Sequence, residues 1–94
     1  MFTLIDGIAR HLAHPDTFHI PNTTEVVALK RGQYVKLGFQ EGENTERAWV
    51  EVKAIDGRYL TGIVNNDLVL MKTVKDGDEV KFEFQHIIGI YHGE

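Results

Sequence analysis

From Gln33 onward, apolar residues alternate with polar ones, and short clusters rich in Gly, Asn and Asp interrupt the alternation. A period of two is the signature of a strand with one buried face. Val35, Leu37 and Phe39 share one face, and Tyr34, Lys36 and Gly38 the other. Gln40 to Thr45 reads as a polar, acidic turn. Glu46 to Ile55 is the next strand, with Ala48, Val50, Val52 and Ala54 on one face and Trp49, Glu51, Lys53 and Ile55 opposite. Asp56-Gly57 is the strongest hairpin signal in the chain. Arg58 to Val64 returns, with Leu60, Gly62 and Val64 alternating against Tyr59, Thr61 and Ile63. Asn65-Asn66-Asp67 breaks that strand, and Leu68 to Lys72 reads as another short one. After a turn at Asp76-Gly77, Val80, Phe82 and Phe84 alternate with Glu79, Lys81 and Glu83. Gln85 to Tyr91 reads as a single turn and a terminal strand through Ile88 and Ile90.

The first third of the chain has a different period. Leu4, Ile8 and Leu12 recur every four residues with Ile5 and Ala9 beside them, which predicts an amphipathic helix over Thr3–His14. Thr3 and Asp6 have the spacing of a cap and a first-turn acid. Pro15 forbids continuation, and Gly7 weakens the helix by ~1 kcal/mol, so it must dock on something. After an extended linker, Asn22 and Glu25 predict a capping box for a very short helix carrying Val26, Val27 and Leu29. Lys30 and Arg31 fall in its last turn and Gly32 stops it.

These elements predict one domain over 1–94: a helix over 1–14, a linker and short helix over 15–32, and a β body over 33–94. The expected class is mainly β with helical additions (α+β). The expected architecture is a small curved antiparallel sheet, or SH3-like partly open barrel, with an N-terminal amphipathic helix. Closing the sheet leaves fewer exposed edges.

Composition narrows the chemistry. The chain has 94 residues, no Cys and no Ser, so disulfide staples, Cys-ligated zinc and Ser or Cys nucleophiles are all excluded. A net charge of -4 makes a phosphate-backbone binder a poor expectation. Asp6, Arg10, His11 and His14 interrupt the early apolar positions, which argues against a secretory signal. The longest apolar runs, Leu68–Met71 and Ile87–Ile90, are far shorter than the ~20 residues of a membrane-spanning helix. Absence of Cys fits a reducing cytoplasm.

Few groups carry candidate chemistry. His11, His14 and His19, with Asp16 between them, form the densest set of possible metal ligands. Pro15 separates the first pair from His19, and no His-Glu-x-x-His spacing occurs, so a solvated polar face is the preferred reading. Trp49 lies on the strand face opposite Val50, and Tyr59 and Ile63 are expected to share it. Such an aromatic patch on a curved sheet suits a peptide. Docking of the N-terminal helix is the preferred use of that surface, since an amphipathic helix seldom stays undocked, and a homodimer contact is a third use. The acidic run Glu41, Glu43, Glu46 lacks the ligand pattern of a calcium loop and reads as a solvated turn. Asn65-Asn66-Asp67 is explained equally by turn chemistry or by function at a strand end.

The stretches Glu46-Arg47-Ala48-Trp49-Val50-Glu51-Val52, Thr61-Gly62-Ile63-Val64-Asn65-Asn66 and Lys75-Asp76-Gly77-Asp78-Glu79-Val80-Lys81-Phe82 stand out, with Gly57 and the closing pair Ile87-Ile88. Through these, Gly32 to Tyr91 resembles a bacterial family known as domain of unknown function 2314. The run Pro15–Pro21 and Tyr34–Leu37 resemble small bacterial proteins of the same kind. The chain departs from the family pattern at Leu68, where a Pro is usual, and at Ile90-Tyr91, where Asp-Trp is usual. The resemblance implies a β-rich fold and no particular chemistry.

The sequence therefore leads to a cytoplasmic, non-catalytic binding module that meets a protein or peptide at Trp49, Tyr59 and Ile63, with no cofactor and no membrane. An acidic, compact chain also suits a toxin-neutralising immunity protein, whose negative charge would cover a basic site. A nucleic-acid module would use Arg31, Lys36, Arg47, Lys53 and Arg58 with Tyr34 and Trp49. A metal-dependent hydrolase would use the His cluster.

Overall fold

The computed structural model describes residues 1–92. The long alternating stretch folds as expected into antiparallel strands. In β2 (Tyr34–Glu41) the side chains of Val35, Leu37 and Phe39 are fully buried, and in β3 (Asn44–Asp56) so are Ala48, Val50 and Val52. β3 pairs with β4 (Tyr59–Val64), which pairs with β5 (Glu79–Glu83). A 3-10 turn (Phe84–His86) then leads into β6 (Ile87–Ile90), which returns to pair with β2. The result is a curled half-barrel, mainly β, around Phe39, Phe82, Leu37 and Leu60.

Both hairpin loops have two residues. Glu41 faces Asn44 across Gly42-Glu43, and Asp56 faces Tyr59 across Gly57-Arg58. The second loop therefore sits one residue later than Asp56-Gly57. Only the glycine has positive φ, 61° at Gly42 and 63° at Gly57, which is the requirement of a type II′ turn with Gly first. A bulge at Lys53 also moves Ala54 from its expected place. The register shifts between Val52 and Ala54, so beyond it Ile55 stands opposite the buried Leu60 while Ala54 faces Thr61 and is exposed. One extra residue reverses the phase of everything after it.

The N-terminus differs from the sequence expectation. Thr3–Leu4 is not helical but forms β1, pairing with Gln40 and Phe39 of β2. β1 and β6 thus lie end to end along one edge of β2 and satisfy its backbone groups. Helix α1 spans only Gly7–Ala13, and its cap is Asp6, whose carboxylate accepts the Ala9 amide at 2.9 Å. The Ile8 and Leu12 positions of the supposed buried stripe are 46% and 75% exposed. The helix docks through Gly7 instead: a Cβ there would lie 2.7 Å from Ile88 and 3.3 Å from the Gln85 carbonyl oxygen. Just before it, Ile5 is buried over Gly38 and fills the place a Cβ would take, at 2.7 Å.

Helix α2 (Thr23–Val27) carries the expected capping box: Asn22 accepts the Glu25 amide at 2.8 Å, and Glu25 accepts the Asn22 amide at 3.3 Å. It ends at Ala28, earlier than Lys30 and Arg31, which lie in the following turn before Gly32 (φ 93°). Among the described residues no helix is long and apolar enough to cross a membrane.

Candidate functional site

Strand phase placed Trp49 on the face opposite Val50, and there it stands, half-buried. Its neighbours come from two other strands. Lys36 is its cross-strand partner on β2, with Nζ 4.6 Å from the indole centroid. β6, on the far side of β2, delivers Tyr91, whose amide donates to the Tyr34 carbonyl at 3.0 Å. The Tyr91 ring meets Trp49 edge-on at 5.7 Å and 76°, and meets Tyr34 at 6.4 Å and 84°. Tyr34, Trp49, Tyr91 and Asn65 line a shallow groove of about 200 Å³. Among the described residues, neither the indole N–H nor either tyrosine hydroxyl has a partner for its own proton.

The other two residues expected beside Trp49 lie elsewhere on that face. Ile63 stands opposite Glu51, one same-face step from Trp49. Tyr59 is at the far end of β4, ~13 Å from Ile63 at ~3.3 Å per strand residue. It belongs to a separate cluster: Arg58 donates to its hydroxyl at 3.0 Å and stacks on its ring, and Lys81 Nζ sits 5.8 Å from the ring centre. Tyr34 had a legible signal, since it shares strand phase with Lys36. Tyr91 had none, because only the return of β6 to β2 brings it near. Helix α1 packs chiefly on the 3-10 turn at Phe84–His86 and leaves the groove open.

The histidine cluster does not assemble. His11 donates from Nδ1 to the Phe18 carbonyl at 2.7 Å, while His14, Asp16 and His19 are exposed. Among the described residues no three His, Asp or Glu side chains are placed to hold a metal ion. The basic residues are dispersed. Lys53 pairs with Glu51 at 3.1 Å, Arg58 is spent on Tyr59 and Glu83, and Arg47 stacks on Phe18 at 5.4 Å.

Residues 65–78, between β4 and β5, overturn two sequence expectations. Leu68–Lys72 is not a strand. Its amides turn to side chains: Glu46 accepts those of Val69 (2.9 Å) and Leu70 (2.8 Å), and Glu41 accepts that of Lys72 (2.6 Å). The acidic residues flanking the β2–β3 hairpin are therefore a backbone cradle rather than a solvated turn. The Lys72 amide, with the Thr73 hydroxyl after it, holds the Glu41 carboxyl below the usual carboxylate range. Met71 and Val74 are buried in the core, whereas Val69 is 86% exposed. At the start of the segment Asn65 donates its amide to the Trp49 carbonyl at 2.9 Å, and Asn66 Oδ1 accepts the Trp49 amide at 2.9 Å.

His86 carries a second perturbed group. Burial pushes its pKa down, against the opposing pull of Glu83 and Asp6. Its Nδ1 accepts the Glu83 amide at 3.0 Å, a bond that only the neutral ring can make.

A mainly β half-barrel with an open aromatic groove is the class that fold and site define. A family profile described as uncharacterized protein conserved in bacteria matches residues 17–90. The chain belongs to that family, domain of unknown function 2314. The match reaches further upstream than Gly32 and takes in α2, but leaves out α1. Neither the curated proteins nor the solved structures contain a match.

Proposed function

We propose that this protein is a non-catalytic binding module of the bacterial cytoplasm that takes an extended peptide segment in the Tyr34–Trp49–Tyr91 groove. The observation that carries this reading is an open groove of about 200 Å³ walled by the rings of Tyr34, Trp49 and Tyr91, which meet edge to face. An extended or polyproline II segment has carbonyl oxygens without internal partners and, at proline, no amide to satisfy. A groove walled by flat rings that carry an indole N–H and phenol groups suits that chemistry, and such segments are bound at aromatic-lined grooves generally. The four lining residues include no carboxylate, imidazole or thiol, so the groove offers no conventional acid, base or nucleophile beyond phenol groups. The absence of Cys supports a reducing compartment.

Titration with proline-rich decapeptides, followed by Trp49 emission and amide chemical shifts, tests the reading. Saturable binding that Trp49→Ala and Tyr91→Ala abolish, and Tyr59→Ala preserves, is the expected result. Binding that survives Trp49→Ala, or no saturation with any such peptide, would overturn it.

A further inference from the structure

We infer that residues 65–78 form a carboxylate-latched strap that governs the aromatic groove. Shut, the strap holds Trp49 and Asn65 in place; open, it dismantles the groove wall. The coupling is a property of the fold, and its biological meaning as regulation rests on the groove being the binding site.

Three observations connect the strap to the groove. First, its outer run is held by side chains rather than by a ladder. Glu46 takes the Val69 and Leu70 amides and Glu41 takes the Lys72 amide, with the N-terminal ammonium 3.6 Å from Glu41. Second, its two ends are pinned together in a neck. Val64 donates to Asp78 at 2.9 Å, Gly77 donates to Val64 at 2.7 Å, and Asn66 donates to Asp76 Oδ1 at 2.9 Å. Third, the neck residues Asn65 and Asn66 bond both main-chain groups of Trp49, and Asn65 also lines the groove. Opening that spreads from the latch into the neck therefore moves the residues that support the indole.

The strap has the marks of a unit that opens below the global unfolding free energy. It contains no helix or strand and its latch bonds are solvent-exposed; Met71 and Val74 are buried in the core and Leu68 packs partly against it, while Val69 and Leu70 are exposed. Anything that neutralises or occupies the Glu41 and Glu46 carboxylates shifts the equilibrium toward the open state. A groove that is competent only in the shut state then binds more weakly by the fraction open.

Hydrogen exchange and Trp49 emission test this in the intact chain, which has a single Trp. Glu46→Gln keeps the shape of the side chain but replaces an acceptor with a donor. It is expected to speed exchange at Asn65, Val69 and Leu70 about tenfold. It should also shift Trp49 emission to the red while Val35, Leu37 and Val50 remain protected. Asp76→Ala, acting at the neck, should produce the same pattern. Faster exchange at Val69 and Leu70 with unchanged Asn65 exchange and Trp49 emission would overturn the coupling. Unchanged exchange throughout would also overturn it, as would global unfolding of both variants, since the strap would then have no opening of its own. Failure of the wild-type chain to bind any peptide would instead overturn the groove as a binding site and leave the coupling intact.

Discussion

Asn66 lends its side-chain oxygen to the backbone amide of Trp49, 2.9 Å away and 17 residues earlier in the chain. β4 ends at Val64, so this side chain continues a ladder that the strand itself has left. Replacing Asn66 by Ala removes the acceptor from a part-buried amide. We expect a loss of about 1–2 kcal/mol in denaturant unfolding, with Asn66→Asp closer to wild type because an oxygen remains. An Asn66→Ala chain as stable as wild type would show that water replaces the bond.

Gly38 and Ile5 compete for one position on the outer face of β2. A Cβ at residue 38 would lie 2.7 Å from Ile5 Cδ1, and Ile5 is buried. Gly38→Ala should cost about 1–3 kcal/mol through overpacking. In the Ile5→Ala background the added cost should largely vanish, giving a coupling of more than ~0.5 kcal/mol in a double-mutant cycle. Additive losses would mean that the clash is relieved without moving Ile5.

Acid should destabilise the protein in two stages. The folded pKa of His86 lies below its unfolded value of ~6.5, so the unfolded chain takes up the proton first. Its contribution is complete above that value and is lost as pH falls through the folded pKa. Glu41 has the same sign in a lower window: its contribution is complete above ~4.3 and is lost as pH falls through its lowered folded pKa. Denaturant midpoints measured from pH 8 to pH 3 should fall in both windows. His86→Gln should remove the first decline and leave the second.

Leu12 gives a contrasting prediction. Its side chain is exposed although its spacing from Leu4 and Ile8 suggests burial. Leu12→Gln should change stability by less than ~0.5 kcal/mol, whereas Val74→Ala, in a loop but buried, should cost about 1–3 kcal/mol. Equal losses in a thermal melt would place Leu12 in the core.

Much of the β body was legible because its core side chains recur at every second residue, at Val35, Leu37 and Phe39 and at Ala48, Val50 and Val52. The capping box at Asn22 and Glu25 was legible for the same local reason, since both partners lie within one turn. The N-terminal helix was overread: a spacing of four fits a helix, but Leu4 meets its partner on β2, beyond any local window. Leu68–Lys72 was misread because its amides are satisfied by Glu41 and Glu46, from 24 to 31 positions away for the Leu70 and Lys72 bonds. Of the groove, Trp49 was legible and Tyr91 was not.

Side-chain period and turn chemistry are short-range, so the amino-acid order alone determined the strands at Tyr34–Glu41, Tyr59–Val64 and Glu79–Glu83, the buried faces of Val35–Phe39 and Ala48–Val52, and that Trp49 lies outside the core. Pairing between distant segments decided the rest. It seated β1 and β6 on a shared edge, reversed the phase at Lys53 and set Tyr34 and Tyr91 around the indole. It also turned two glutamates into acceptors for a loop. Those contacts depend on which backbone groups the curled sheet leaves unpaired, and that is known only once the whole chain has folded around its core.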